Sequence, residues 1–233
     1  MTQPDFSRFR LISFDCYGTL IDWESGILNA IHPILAAHRA ELSTPEILGL
    51  FGELESEAES GEYRSYREVL RTVVRGLGKR LGFEASRDEQ DLLAGSVGNW
   101  LPFSDTIAAL ERLKERFQLA IISNVDDDMF AGTSSCLGVS FDHVITAGQA
   151  RAYKPSPKIF ELSESRFSVP RNEWLHAGQS IYHDVIPAKS LGIATVWVNR
   201  PSGRPGIGAV RFAAGAPDVE IDSLRALADL AGV

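Results

Sequence analysis

The stretch Leu11-Ile-Ser-Phe-Asp15-Cys-Tyr-Gly18-Thr-Leu-Ile-Asp-Trp23 begins as a buried strand and stops at an acid, an aromatic and a glycine. Four further apolar runs end in the same abrupt way: 119-LAIISN-124, 142-DHVITAG-148, 174-WLHAGQS-180 and 194-ATVWVNR-200. Their length and β-branched content predict strands buried on both faces, and the helix-like segments between them predict parallel βαβ packing. The fold class expected is α/β, with a Rossmann-like parallel sheet as its core. Ligands of such sheets bind beyond the carboxyl ends of the strands, so the residues closing each run are the first candidates for chemistry. They are Asp15, Ser123 with Asn124, and the polar cluster from Gln179 to Asp184, with Lys154 in the loop after the third run.

Between the first strand and the rest lies a region of another kind. The segments 25–42, 44–60, 63–82 and 86–101 carry apolar residues at helical spacing, several opened by Ser or Thr, with no strand among them. They predict an all-helical cap over residues 23–100, inserted into a core of residues 1–22 and 101–233. The segment Leu101-Pro-Phe-Ser-Asp-Thr106 is the expected return hinge.

Composition narrows the function. The 233 residues are 44% hydrophobic and 23% charged, as in ordinary globular proteins, and the formal net charge of −8 argues against nucleic-acid or anionic-membrane partners. Cys16 and Cys136 are the only cysteines, too few for a disulfide scaffold or a four-thiolate zinc site, so a cytoplasmic location is expected. The acidic run Asp126-Asp-Asp128 reads as a helix start rather than a metal cluster.

The order of DCYGTL, then SN, then YKP, then HD resembles the haloacid dehalogenase superfamily along essentially the whole chain, cap included. The resemblance implies that Asp15 is a nucleophile forming a covalent ester that water then hydrolyses. A carboxylate suits that role because it is ionised at neutral pH without help from a base. By the same resemblance Lys154 balances charge, Thr19 holds the Asp15 carboxylate, Ser123 and Asn124 face an oxyanion, and Asp184 anchors Lys154 or orients the water.

Phosphatases of the superfamily carry a second aspartate two residues after the nucleophile and an acid that helps to bind magnesium. This chain has Tyr17 and Gln179 at those places. Both departures point to the metal-independent (S)-2-haloacid dehalogenase branch, whose halide leaves without a proton, and the wording of the first motif also resembles the hydrolase of azetidine-2-carboxylate. The expected substrate is a small 2-substituted carboxylic acid, with no cofactor. Tyr17, Cys16, Gln179, Trp23 and Trp100 are expected to contact it. The arginine with which such dehalogenases hold the substrate carboxylate is missing from 50-LFGELESEAE-59, leaving Arg64, Arg67 or Arg71 as replacements. A magnesium-dependent phosphatase and a non-catalytic binding protein are the alternatives; relatives suggest a homodimer.

Overall fold

The structure is a computed structural model and describes residues 5–201, 203, 208–210 and 212–233. Strands β1 (Leu11–Phe14), β2 (Gln118–Ser123), β3 (His143–Thr146), β4 (Trp174–Gly178), β5 (Ala194–Val198) and β6 (Val219–Ile221) form one sheet in the order β3-β2-β1-β4-β5-β6. Every pairing is parallel. Five strands match the apolar runs of the sequence; β6, three residues long, had no such run to announce it. The order reverses between β1 and β4, and there the loops leaving the two strands diverge and open a crevice. Asp15 follows β1 directly, its N–H donating to the Ala177 carbonyl at 2.9 Å, and Gln179 follows β4.

All four residues of β1 are buried because layers cover both faces of the sheet. Ile12 and Phe14 face one side, where α5 (Thr106–Lys114) and α10 (Leu224–Ala231) pack with Leu110, Leu113, Leu224 and Leu227. Leu11 faces the other, with Ile159 and Phe160 of α8 (Pro157–Arg166) and Ala188 of α9 (Ile186–Ser190). The period of two along each strand thus feeds two apolar layers. A single turn, α7 (Ala147–Ala150), leads from β3 into the loop that carries Lys154.

Helices α1 (Trp23–Ala37), α2 (Thr44–Glu59), α3 (Tyr66–Leu81) and α4 (Arg87–Ser96) follow β1 without an intervening strand. Each of three starts is capped by a side chain that accepts a free backbone N–H of the first turn. Asp22 does this before α1, Ser65 before α3, and Ser86 with Glu89 forms a reciprocal capping box at α4. The two connections to the sheet run side by side. The Asp22 N–H donates to the Leu101 carbonyl at 2.9 Å, the Phe103 N–H to the Leu20 carbonyl at 3.0 Å, and Ile21 bridges Pro102 in antiparallel fashion.

The acidic run at 126–128 opens α6 (Asp127–Leu137), and it also ties the helical region to the sheet. The Asp126 carboxylate accepts the backbone N–H groups of Tyr66 and Arg67, each at 3.0 Å, at the start of α3. Asp128 pairs with Arg67 at 2.6 Å. Carboxylates at helix N-termini stabilise the orphan amides and the positive end of the helix dipole. Among the described residues, no helix is long and apolar enough to cross a membrane.

Candidate active site

At the crevice, Lys154 is 2% exposed and its ammonium has three acceptors: Asp15 Oδ1 at 2.8 Å, Asp184 Oδ1 at 2.7 Å and the Ile122 carbonyl at 2.9 Å. An ammonium carries three donors, so all are committed. Burial works against the charged lysine, but the two carboxylates overcome it and raise its pKa above the ordinary range. Asp15 is pushed up from the usual carboxylate range by burial, with Lys154 pulling the other way. Asp184 resists ionisation through burial too, yet Lys154 and His176 bring it below the usual range.

Thr19 completes the hold on the nucleophile candidate. Its hydroxyl donates to Asp15 Oδ2 at 2.7 Å and accepts the Gln179 N–H at 2.9 Å, so one side chain joins the loops after β1 and β4. The turn between Asp15 and Thr19 needs Gly18, whose φ is +90° and whose missing Cβ would collide with the Gln179 amide.

Asp184 is placed by a π-helical turn, Ile181–Val185, that runs into α9. One extra residue per turn aims it back at the sheet, where Gly178 leaves room because a Cβ there would meet the Asp184 carboxylate. The Ser180 N–H donates to Asp184 Oδ2 at 3.1 Å and His176 Nε2 lies 3.3 Å from Oδ1. Behind His176, its Nδ1 lies 2.8 Å from the Ser13 hydroxyl, which accepts the Trp174 indole N–H at 2.7 Å. The ionised carboxylate can only accept, so Nε2 donates to it and the Ser13 O–H is free to donate to Nδ1. This buried chain from β1 and β4 adds Ser13, Trp174 and His176 behind Asp184, none of them among the candidates read from the sequence.

Ser123 and Asn124 part company. Ser123 is fully buried and borders the cavity, and its hydroxyl has no hydrogen-bond partner among the described residues. The Asn124 side chain instead grips the backbone of Lys154, Oδ1 accepting its N–H at 2.7 Å and Nδ2 donating to its carbonyl at 3.2 Å. It sets the lysine in place rather than offering its amide to an oxyanion.

The cavity over Asp15 measures about 70 Å³, room for a molecule of few heavy atoms. Tyr17, Trp23 and Gln179 border it as expected. The Tyr17 hydroxyl is 2.8 Å from Thr133 Oγ1, and burial holds the phenol well above its ordinary pKa. Two expected contacts do not reach the cavity. Cys16 is fully buried and absent from its wall, its thiol pushed up by burial, because adjoining residues leave a strand in opposite directions. Trp100 lies behind Tyr17, ring edge to ring face at 5.7 Å, with its indole N–H donating to Ser96 at 2.9 Å.

From the cap side the wall is formed by Gly52, Glu55, Ser56 and Glu59 of α2 and Tyr66 of α3. None of the three candidate arginines borders it. Arg67 pairs with Asp128, Arg71 with Glu68 and Asp91, and Arg64 lines a separate surface groove with Arg75 and Arg80. The glutamates were missed; the signal in the sequence was their i, i+4 spacing on one helical face.

A magnesium ion, as the superfamily's phosphatases use, does not fit the donors. Lys154 already lies between Asp15 and Asp184, and the third position is the neutral Gln179. Among the described residues no group of three or more His, Cys, Asp or Glu is arranged to hold a metal.

Comparison with known proteins finds relatives along most of the chain. The chain is similar to the (S)-2-haloacid dehalogenase of Pseudomonas sp. (strain YL), 27% identical over 232 residues covering 94% of this chain and 93% of that protein. It is 28% identical over 199 residues to haloacetate dehalogenase H-2 of Moraxella sp. (strain B), covering 83% and 87%. Among solved structures, the L-2-haloacid dehalogenase from Xanthobacter autotrophicus with chloropropionic acid covalently bound matches with a TM-score of 0.77 and 26% identity, covering 95% of this chain and 98% of that one. A defluorinating L-2-haloacid dehalogenase shares the fold, with a TM-score of 0.81 at 20% identity over 97% of this chain and 96% of that one. The family model for haloacid dehalogenase-like hydrolases matches residues 9–192, and the chain belongs to that family.

Proposed function

We propose that the protein is a metal-independent hydrolase that acts at a saturated carbon of a small 2-substituted carboxylic acid through an ester on Asp15. The observation that carries this reading is Tyr17. Two residues beyond the nucleophile, where a phosphatase needs an acid for its departing alkoxide, this chain has a phenol bonded to Thr133 and held far above neutral pH. A halide departs without a proton, so a site lacking that acid suits carbon better than phosphorus.

In the first step an Asp15 oxygen attacks the substituted carbon from the side opposite the leaving group. The new C–O bond forms as the carbon–halogen bond breaks, and halide takes the electron pair. Lys154, 2.8 Å from Asp15, opposes the effect of burial on the carboxylate and balances the charges around it. The free Ser123 hydroxyl offers a donor to the departing anion or to the substrate carboxylate. In the second step water, held near Gln179 and Asp184, attacks the ester carbonyl, releasing the 2-hydroxy acid and restoring Asp15. A cytoplasmic setting is part of the same proposal, supported by two free thiols, Cys16 and Cys136.

The test is halide release from a panel of 2-haloacids in the presence of chelator, with azetidine-2-carboxylate as a further candidate. Asp15→Asn is expected to lower turnover more than about a thousandfold. Rapid quenching and mass spectrometry of the wild type should find the substrate's mass added at Asp15. Magnesium-stimulated release of phosphate from phosphate esters, with no ester at Asp15 from any haloacid, would overturn the proposal.

A further inference from the structure

Beyond Glu46 in its first turn, helix α2 carries four glutamates in two sets. Glu53 and Glu57 are on its outer side, where Arg80 approaches them at 2.7 and 3.9 Å. Glu55 and Glu59, also one turn apart, border the cavity that contains Asp15. Glu55 accepts the Tyr66 hydroxyl at 2.6 Å, and Glu59 has no hydrogen bond or ion pair among the described residues. Outward acids with a cation are ordinary surface chemistry; inward acids without one demand another explanation.

The charge count supplies it. Asp15, Asp184 and Lys154 together leave one negative charge in the crevice, and all three lysine donors are already engaged. Lys154 is the only lysine or arginine among the described residues that border the cavity. A ligand bearing only a carboxylate would add negative charge to a buried site that already has an excess, which is unfavourable in a low dielectric. A ligand whose carboxylate is offset by a cationic nitrogen at the α2 end would add no net charge to it. The wall also retains an unused donor for the ligand's other end, the fully buried Ser123 hydroxyl.

We infer that Glu55 and Glu59 form a recognition site for a protonated amine, so that the substrate is a small 2-substituted carboxylic acid that also carries an ammonium group. The inference rests on the carbon-centred hydrolase reading and refines its substrate. The protonation of the empty site agrees with it. Burial raises the Glu55 carboxyl to about 7, with the Tyr66 hydroxyl opposing the rise; burial and Glu55 also push Glu59 well above the usual carboxylate range, with Lys154 opposing. Carboxyls raised in this way take up protons more readily than ordinary glutamates, and an amine that favours their ionised form releases protons on binding.

The test uses two ligands of one carbon skeleton, (S)-2-chlorobutanoate and (S)-4-amino-2-chlorobutanoate, titrated calorimetrically into Asp15→Asn protein, in which turnover is blocked. Titrations in phosphate and in Tris buffer differ by the heat of the protons exchanged. The amine is expected to bind at least about tenfold more tightly and to release protons. Glu59→Gln or Glu55→Gln on the same background should bring the two affinities within about twofold. Tighter binding of 2-chlorobutanoate with proton uptake would overturn the inference, because the acids would then be neutral donors to a carboxylate. In the wild type, equally fast esterification of Asp15 by both compounds overturns the inference alone. Tight binding of the amine with Asp15 left unesterified overturns the hydrolase reading on which it rests.

Discussion

The two walls of the cavity are built on different principles. The core wall, the Ser123 hydroxyl apart, is a closed network: Asp15, Lys154, Asp184 and His176 each have their partners within hydrogen-bonding distance. The cap wall is open: Glu59 has no bonded partner among the described residues, and Glu55 has one tyrosine. Relatives of known structure share the fold of both parts. The difference teaches that a satisfied network holds reacting groups in place, whereas an unsatisfied wall leaves its partners for a ligand to supply. Chemistry is read from the first and specificity from the second.

The largest expected effect lies in the core wall. Lys154→Met leaves two buried carboxylates without their cation and is expected to destabilise the fold by about 3–5 kcal/mol at neutral pH, read by denaturant unfolding. The loss should shrink in acid, where the stranded carboxyls take up protons. His176→Phe comes next: Asp184 loses a donor and Ser13 a partner, for about 1–3 kcal/mol and a slower ester hydrolysis step in rapid-quench measurements. If this change proved silent, the chain behind Asp184 would be packing alone.

In the cap wall the sign reverses. Because Glu55 holds its proton to about 7 when folded, against 4.5 ordinarily, the native state binds more protons than the unfolded chain between those values. Stability from this group is therefore present below about pH 4.5 and lost as pH rises through about 7. Glu55→Gln should flatten that slope and stabilise the protein above pH 7 by about 1–2 kcal/mol, as seen in a Tm series across pH. The smallest effect concerns the tie between the walls. Asp126→Ala removes the acceptor for the Tyr66 and Arg67 amides and is expected to cost about 0.5–2 kcal/mol, with faster hydrogen exchange confined to the start of α3.

How much of this was legible in the chain follows the same division. Five of the six strands could be read because burial on both faces demands unbroken apolar runs; β6, at three residues, is too short to carry the pattern. Asp15, Lys154 and Asp184 were legible because strand ends in this topology converge on one crevice. The partners of Ser123 and Asn124 were not. The two are neighbours in sequence and both border the cavity, but the Ser123 hydroxyl has no partner among the described residues while the Asn124 side chain binds the backbone of Lys154, 30 residues on. Cys16 and Trp100 stood beside site residues in sequence or aromatic character, and packing placed them behind the wall.

What the sequence by itself determined was the reaction scaffold. Strand-ending acids, a lysine in the right loop, and Tyr17 and Gln179 in place of two further acids are local facts, and the topology that gathers strand ends turns them into a site. What only the tertiary structure decided was which face of α2 looks down on Asp15. Helical spacing places Glu55 and Glu59 on one side and Glu53 and Glu57 on another, but no local pattern says which pair is inside. The packing of the cap against the sheet makes that choice, and with it sets the charge that a substrate must bring.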